Sequence, residues 1–208
     1  MTQDTTVLTD PYIWVYNDVV PEEKCKEIID RFETDGSPNK KKGRTFGGVD
    51  TNIKNSLDLH ISTESQWKDI DVYFKDLVGF LINEYNLHIQ NSWSFKSFTT
   101  GEIRQFEPPL AKNVHDIGYQ IQKTNAGDGY VWHHDFENGR VLTYILYLNT
   151  VDEGWTQFYN GDQVSPKTGR CVIFPATWTY YHQGFPPKQT KYIICLLYTS
   201  PSPRDKTV

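Results

Sequence analysis

Residues 130–136 read Tyr-Val-Trp-His-His-Asp-Phe, which places His133 and Asp135 two positions apart. In an extended segment, side chains two positions apart face the same side, so His133 and Asp135 would point together and His134 would point away. A histidine and a carboxylate on one face provide two metal ligands from one short strand. His134 could replace His133 as the ligand if the segment is not extended, and the sequence leaves that alternative open.

A third ligand must come from elsewhere in the chain, and His182 in Tyr-His-Gln-Gly (181–184) is the strongest candidate. Of the six histidines, His60, His88 and His115 have no combination of a nearby acid and a predicted strand that would recommend them. Two histidines and one carboxylate form a facial triad, which leaves three positions open on one side of iron(II), as oxygenase chemistry requires. The sequence therefore predicts an iron(II) site at His133, Asp135 and His182.

The sequence around these ligands has the pattern of a β-rich domain. From about residue 92, short runs rich in Val, Ile, Tyr, Phe and Thr are separated by Gly, Asn, Asp and Pro. Strands are predicted at 93–98, 118–123, 141–149, 156–159, 170–174 and 191–196. Many strands without intervening helices are typical of a sandwich or barrel. We therefore predict a mostly β fold whose core, at about 92–195, is a double-stranded β-helix (jelly roll).

The N-terminal half favours helices. Pro21 stands where a helix could begin, since its fixed φ suits the first turn, and Glu22 and Glu23 follow it. A second helix is predicted from an apolar stripe over five turns: Trp67, Ile70, Phe74, Leu77, Leu81 and Tyr85. Both helices are predicted to support the sheet from within residues 11–90, so that 1–195 form a single domain.

The C-terminal tail has an unusual sequence, Leu-Leu-Tyr-Thr-Ser-Pro-Ser-Pro-Arg-Asp at 196–205. One possible coding strand for it, ctc tta tac aca tct ccg agc cca cga gac, is a transposon-type sequencing adapter, and Cys195 fits its upstream continuation. We therefore predict that 196–208 is a non-native tail, with a natural polar tail as the alternative. The uninterrupted gene would contradict this prediction if it encoded the same tail.

Composition limits the possible partners and location. A net charge of -5 argues against a general nucleic-acid binder. The basic run at 40–44 is expected to be a solvated loop, with a partner-binding loop as the alternative. Three scattered cysteines and a polar N-terminus predict a cytoplasmic protein rather than a secreted one, and no apolar run is long enough to predict a membrane span. The sequence does not indicate an oligomeric state.

Lys191 opens the apolar strand Lys-Tyr-Ile-Ile-Cys, nine residues after His182. A cation that faces a jelly-roll interior needs an anionic partner. A dicarboxylate cosubstrate could chelate iron with its keto-acid end and place its other carboxylate against this lysine. The alternatives are a Lys191 that extends to solvent at the strand edge, or Lys188 in its place.

Together these features resemble the prolyl-hydroxylase-like branch of the iron(II)- and 2-oxoglutarate-dependent dioxygenases, over about residues 118–195. The matching segments are 127–130 and 132–135; 140–143 and 147–149; Gly154, Thr156 and Phe158; Pro166, Gly169 and 174–175; 182–184 and Lys191. The entry segment 17–25 is also similar to that branch.

The resemblance implies a role for several of these residues. His133, Asp135 and His182 match the iron ligands, and Lys191 matches the basic residue that pairs with the distal carboxylate of 2-oxoglutarate. Three further cosubstrate contacts are expected: Tyr147, whose hydroxyl would reach that carboxylate, Thr143 on the same face of its strand, and Thr124. Thr124 stands where the family often has a tyrosine, nine residues before the first histidine ligand.

The resemblance also implies an activity. The chain is expected to use Fe(II), 2-oxoglutarate and O2, with ascorbate as a further candidate, and to hydroxylate a C–H bond with release of succinate and CO2. A small molecule or a peptide is the expected substrate, and peptidyl proline is the first choice. The alternatives are a metal-binding cupin-like jelly roll without oxygenase activity, which would not need Lys191, and an inactive structural protein, which would not need the intact triad.

Overall fold

The computed structural model describes residues 6–45, 47–105, 115–137 and 139–199. These residues contain two α-helices, α1 (Glu22–Thr34) and α2 (Lys68–Ser92), and two single 3-10 turns before α2. Neither helix combines the length and the apolarity needed to cross a membrane. The strands are β1 (Trp14–Tyr16), β2 (Lys41–Lys42), β3 (Leu57–His60), β4 (Ser94–Lys96), β5 (Ile103–Gln105), β6 (His115–Thr124), β7 (Tyr130–His133), β8 (Arg140–Tyr147), β9 (Thr156–Phe158), β10 (Gln163–Val164), β11 (Cys171–Pro175), β12 (His182–Gly184) and β13 (Lys191–Thr199).

Two antiparallel sheets form the core of the described fold. The larger sheet has the order β1-β11-β8-β13-β6-β3-β2, and the smaller sheet has the order β10-β9-β12-β7. Ile145, Tyr147 and Phe174 from the larger sheet pack against Phe158 and Val164 from the smaller one. This architecture confirms the predicted mostly β fold with a double-stranded β-helix core and N-terminal helices.

Successive side chains of β8 alternate between the two faces of the larger sheet, one that packs against the helices and one that faces a cavity. Tyr144 and Leu146 lie in the same core cluster as the buried stripes of α1 and α2. Thr143, Ile145 and Tyr147 have the opposite parity and line a cavity between the two sheets. The helices therefore hold the back of the sheet that presents these side chains to the site.

The N-terminal half contributes more to the sheet than its sequence indicated. The sequence placed the β core after residue 92, but β1, β2 and β3 join the larger sheet at its two edges. The strand predicted at 93–98 instead forms a separate hairpin from β4 and β5. Strands of two to four residues are too short for a periodic pattern, so their pairing depends on the neighbouring strands.

β13 continues beyond Cys195 to Thr199, in register with both β6 and β8. Leu196 is buried in the core beneath the helices. The first residues of the predicted non-native tail therefore complete the central strand, while 200–208 lie outside the described residues. That the tail is non-native stays a prediction.

Candidate metal and cosubstrate site

Three potential metal ligands meet at the edge of the smaller sheet. His133 ends β7, Asp135 follows two residues later, and His182 begins β12 directly opposite His133 in the antiparallel pairing. Asp135 Oδ1 lies 3.8 Å from His133 Nε2, and Asp135 Oδ2 lies 3.6 Å from His182 Nε2. One ligand atom from each residue falls within 4.8 Å of the others, which is close enough to hold one ion.

Backbone carbonyls orient both imidazole rings. His133 Nδ1 donates to the Val131 carbonyl at 2.8 Å, and His182 Nδ1 donates to the Tyr180 carbonyl at 3.0 Å. Because a carbonyl can only accept, each Nδ1 carries the proton and each Nε2 keeps its lone pair. Both rings are therefore prepared to bind a metal through Nε2.

The protonation states of the cluster also suit metal binding. Burial lowers the pKa of His133, and the neighbouring His182 lowers it further, so that the ring is neutral near pH 7. Burial raises the pKa of Asp135, but His182, His133 and a hydrogen bond from Thr143 outweigh this effect and hold the pKa below its usual value. The Thr143 hydroxyl donates to Asp135 Oδ2 at 2.7 Å, and sequence analysis did not predict this contact.

His134, the alternative ligand, lies outside this cluster. Its Nδ1 accepts a hydrogen bond from the Phe136 amide at 3.2 Å, and its ring meets the edge of Tyr181. The structure thus brings His133 to Asp135 and His182, as the alternation of an extended segment predicts.

The donor set fits iron(II), since two imidazoles and one carboxylate are the ligands of non-haem iron oxygenases. A bound iron(II) would supply open positions for a chelating cosubstrate and for O2. The chain itself supplies the orientation of the ligands, through the two carbonyls and the Thr143 hydroxyl.

A cavity of about 270 Å³ lies beside the cluster, between the two sheets. The metal-ligand candidates line it, and so do the four residues expected to bind the cosubstrate: Thr124, Thr143, Tyr147 and Lys191. The fold therefore assembles every predicted site residue around one space.

Lys191 is a buried cation in this cavity, with 5% of its surface exposed. Its Nζ donates to the Gly154 carbonyl at 2.6 Å, and no carboxylate of the described residues forms an ion pair with it. Burial lowers its pKa to about 8. A dicarboxylate would supply the missing anion, whereas the competing Lys188 is exposed and pairs with Glu153 at 2.8 Å.

Tyr147 and Thr124 line the cavity of Lys191 from different strands. The Tyr147 hydroxyl lies 2.6 Å from Thr156 Oγ1, so the two hydroxyls form a buried pair in the cavity wall. Thr124 lies directly opposite Lys191 in the pairing of β6 with β13. Both line the same cavity as the lysine.

The profile of the 2OG-Fe(II) oxygenase superfamily matches residues 119–199 of this chain. The matched segment contains the three ligand candidates and Lys191. This match supports a 2OG-Fe(II) oxygenase. The oxygenase accordingly uses Fe(II), 2-oxoglutarate and O2, and the cupin-like alternative is not favoured.

Solved structures of prolyl hydroxylases share the fold of the oxygenase. The Trichoplax adhaerens prolyl hydroxylase, in complex with a hypoxia inducible factor oxygen degradation domain peptide, is 18% identical with a TM-score of 0.70, over 91% of this chain and 84% of that chain. A Pseudomonas putida prolyl-4-hydroxylase is 15% identical with a TM-score of 0.63, over 90% and 92%. The viral collagen prolyl hydroxylase of Paramecium Bursaria Chlorella virus-1, in its 2-oxoglutarate complex, is 15% identical with a TM-score of 0.61, over 91% and 97%. A search of curated proteins finds no match.

Sequence analysis missed a polar wall of the oxygenase cavity. Lys54 and Asp58 form a buried ion pair at 2.8 Å, and Ser56 donates to the same carboxylate at 2.7 Å. Gln120 and Gln122 from β6 line the cavity next to them. The alternation of these glutamines with Tyr119 and Ile121 was a detectable signal, but nothing local connects them to Lys54.

Tyr130 is a second missed feature of the site. Its ring stacks on His133, with centroids 3.5 Å apart and planes at 14°. Lys54 Nζ lies over the Tyr130 ring, 5.5 Å from its centroid. The polar wall is therefore in direct contact with the ring that covers one metal ligand.

Proposed function

We propose that the oxygenase hydroxylates a prolyl residue of a peptide substrate in the cytoplasm. The observation that carries this proposal is the cavity that contains both the triad candidates and the buried Lys191, because one molecule of 2-oxoglutarate could reach both. The polar wall with Lys54 and Ser56 lines the same cavity, which could also admit a substrate side chain.

Within this proposal, the residues of the chain bind and orient. His133, Asp135 and His182 hold the iron, and Lys191 anchors the distal carboxylate of 2-oxoglutarate through its ammonium group. Tyr147 and Thr124 flank that carboxylate with hydroxyls. The fixed cosubstrate leaves the remaining open side of the metal toward the substrate.

A peptide is favoured as the substrate because of the fold and the openness of the site to the surface. The structurally similar Trichoplax enzyme was solved with a peptide, and the viral enzyme is a collagen prolyl hydroxylase. Exposed side chains such as Arg44 lie at the rim of the cavity, where a chain passing over the surface would meet them.

The cytoplasmic location is supported by the cysteines. Cys25, Cys171 and Cys195 are free thiols, and the first two are fully buried. Free thiols of this kind suit a reducing compartment.

The test begins with an anaerobic titration of the protein with iron(II) and 2-oxoglutarate. We expect the visible charge-transfer band of an iron chelate in the unmodified protein and none in His182→Ala. Aerobic incubation with proline-containing peptides should then add one oxygen atom to the peptide, as measured by mass spectrometry, while the matched alanine peptides stay unchanged. Folded protein without the band would refute the cosubstrate site, and hydroxylation of free amino acids instead of peptides would refute the peptide substrate.

A further inference from the structure

The basic run of the sequence lies at the rim of the active-site cavity. β2 (Lys41–Lys42) pairs with β3, and Lys41 stands opposite Asp58. Directly opposed residues of neighbouring strands share a face, so Lys41 lies on the side of the polar wall. Arg44 follows three residues after Lys41 and lines the cavity itself. Both side chains are exposed.

Gly43 allows the chain to pass this close to the cavity wall. A Cβ at this position would lie 2.3 Å from Ser56 Oγ and 3.1 Å from Asp58 Oδ2. The Gly43 amide also donates to the Ser56 carbonyl at 2.9 Å. The backbone is therefore held against the Lys54–Asp58 pair, and this contact places Arg44 at the opening.

The cations at the rim differ from those deeper in the wall in having no acidic partner among the residues that the structure describes. Lys54 is neutralised by Asp58, and Arg140 is paired with Glu137 at 3.2 Å. In contrast, none of the ion pairs within the described ranges includes Lys41 or Arg44. Two positive charges that no described acidic residue pairs with thus lie at the entrance of a protein whose net charge is -5.

We propose that the substrate of the oxygenase is an acidic peptide, with a carboxylate side chain near the hydroxylated residue that docks on Lys41 and Arg44. This inference rests on the proposed function and names its substrate class. 2-oxoglutarate does not account for these cations, because Lys191 provides its anchor elsewhere in the cavity. Charge complementarity at the rim would select acidic chains and speed their approach.

The free edge of β2 adds a second means of contact. β2 is the last strand of the larger sheet, and within the described ranges it pairs with β3 alone. An edge strand presents unpaired amides and carbonyls to an extended peptide. A substrate paired along β2 would run past Gly43 and reach Arg44 at the cavity.

The experiment measures binding by fluorescence anisotropy, using the full chain loaded anaerobically with iron(II) and 2-oxoglutarate. Three labelled peptides carry a central proline and differ only in flanking glutamates, glutamines or lysines, and a second set has alanine in place of the proline. We expect the glutamate peptide to bind about tenfold more tightly than the glutamine peptide, because each exposed charge contributes modestly. The difference should shrink at about 1 M salt, where the Debye length falls to about 3 Å.

Two variants connect this preference with the rim. Arg44→Gln and Lys41→Gln should each reduce the preference about threefold, and together they should nearly remove it. Lys75→Gln is the matched control, because it removes one charge from an exposed lysine on α2 without ion pairs and should leave the preference unchanged. The affinity for 2-oxoglutarate should stay the same in all of these variants.

Equal binding of the three peptides, absence of binding by all of them, or a preference for lysines would overturn the inference. It would also be overturned by tighter binding of a single-stranded oligonucleotide than of the acidic peptide. A charge preference that persists in the alanine set, without hydroxylation of the proline set, would support docking of acidic peptides on the basic rim and refute proline as the target. The two failures can therefore be told apart.

Discussion

The charge of Lys191 depends on what occupies the cavity beside it. Burial without an acidic partner lowers its pKa to about 8, whereas a bound carboxylate favours the charged form. The ammonium of the free protein is therefore present below this pH and lost above it, so that binding 2-oxoglutarate at higher pH requires uptake of a proton.

We predict that the Kd for 2-oxoglutarate is nearly constant below pH 8 and rises toward tenfold for each pH unit above about 8. Isothermal titration calorimetry over this pH range measures the effect. Lys191→Arg should bind without this rise, because a guanidinium does not titrate there. The same rise in the arginine variant would assign the effect to another group.

Thr143 supports the metal-ligand candidate Asp135 through a single hydroxyl group. Its hydroxyl donates a hydrogen bond to Asp135 Oδ2, and the residue is only 2% exposed to solvent. Thr143→Val removes the donor at nearly constant volume and should weaken metal binding about 10- to 100-fold. An anaerobic iron(II) titration measures this loss, and Thr143→Ser should keep most of the affinity. Unchanged affinity in the valine variant would show that Asp135 needs no such support.

At the scale of elements, α2 stabilises the sheet without reaching the metal. Its buried face packs on the outer side of β6 and β8, while the cavity lies on the other side. The helix was predicted from its apolar stripe, and the structure extends it to Ser92. Its residues should therefore influence folding much more than chemistry.

Phe74 and Phe80 on α2 provide a matched pair for this prediction. Phe74 is fully buried, whereas Phe80 is 57% exposed. Phe74→Ala should lower the free energy of unfolding by about 3–5 kcal/mol, because it removes a buried ring and leaves a cavity. Phe80→Ala should change it by less than about 0.5 kcal/mol. Urea unfolding measures both, and equal losses would contradict the assigned packing.

Over the whole molecule, ligands that bind only the folded state should stabilise it. At concentrations about 100 times the Kd, one ligand adds about 2.7 kcal/mol, which corresponds to a rise in Tm of roughly 5–10 °C for a chain of this size. We predict such a rise when iron(II) and 2-oxoglutarate are added anaerobically, and its reversal by a chelator. Thermal unfolding followed by circular dichroism measures it. An equal rise in His182→Ala would show that the ligands bind elsewhere.

The fold class followed from strand density and turn residues, and the family resemblance placed the ligands within it. Short strands escaped prediction: β2 and β10 have two residues each, and no pattern can be read from so few positions. Thr143 was predicted on the correct face of β8, but its partner was not, because Asp135 approaches it through the path of the chain after β7.

The sequence by itself determined the ligand types, the common direction of His133 and Asp135, and a lysine that needed an anion. All of these depend on residue chemistry and on the local period of a strand. Only the tertiary structure decided that His182 stands opposite His133, that the Lys54–Asp58 pair forms one wall, and that Arg44 reaches the rim. These contacts join segments far apart in the chain, and their register is set by the packing of two sheets and two helices rather than by any local pattern.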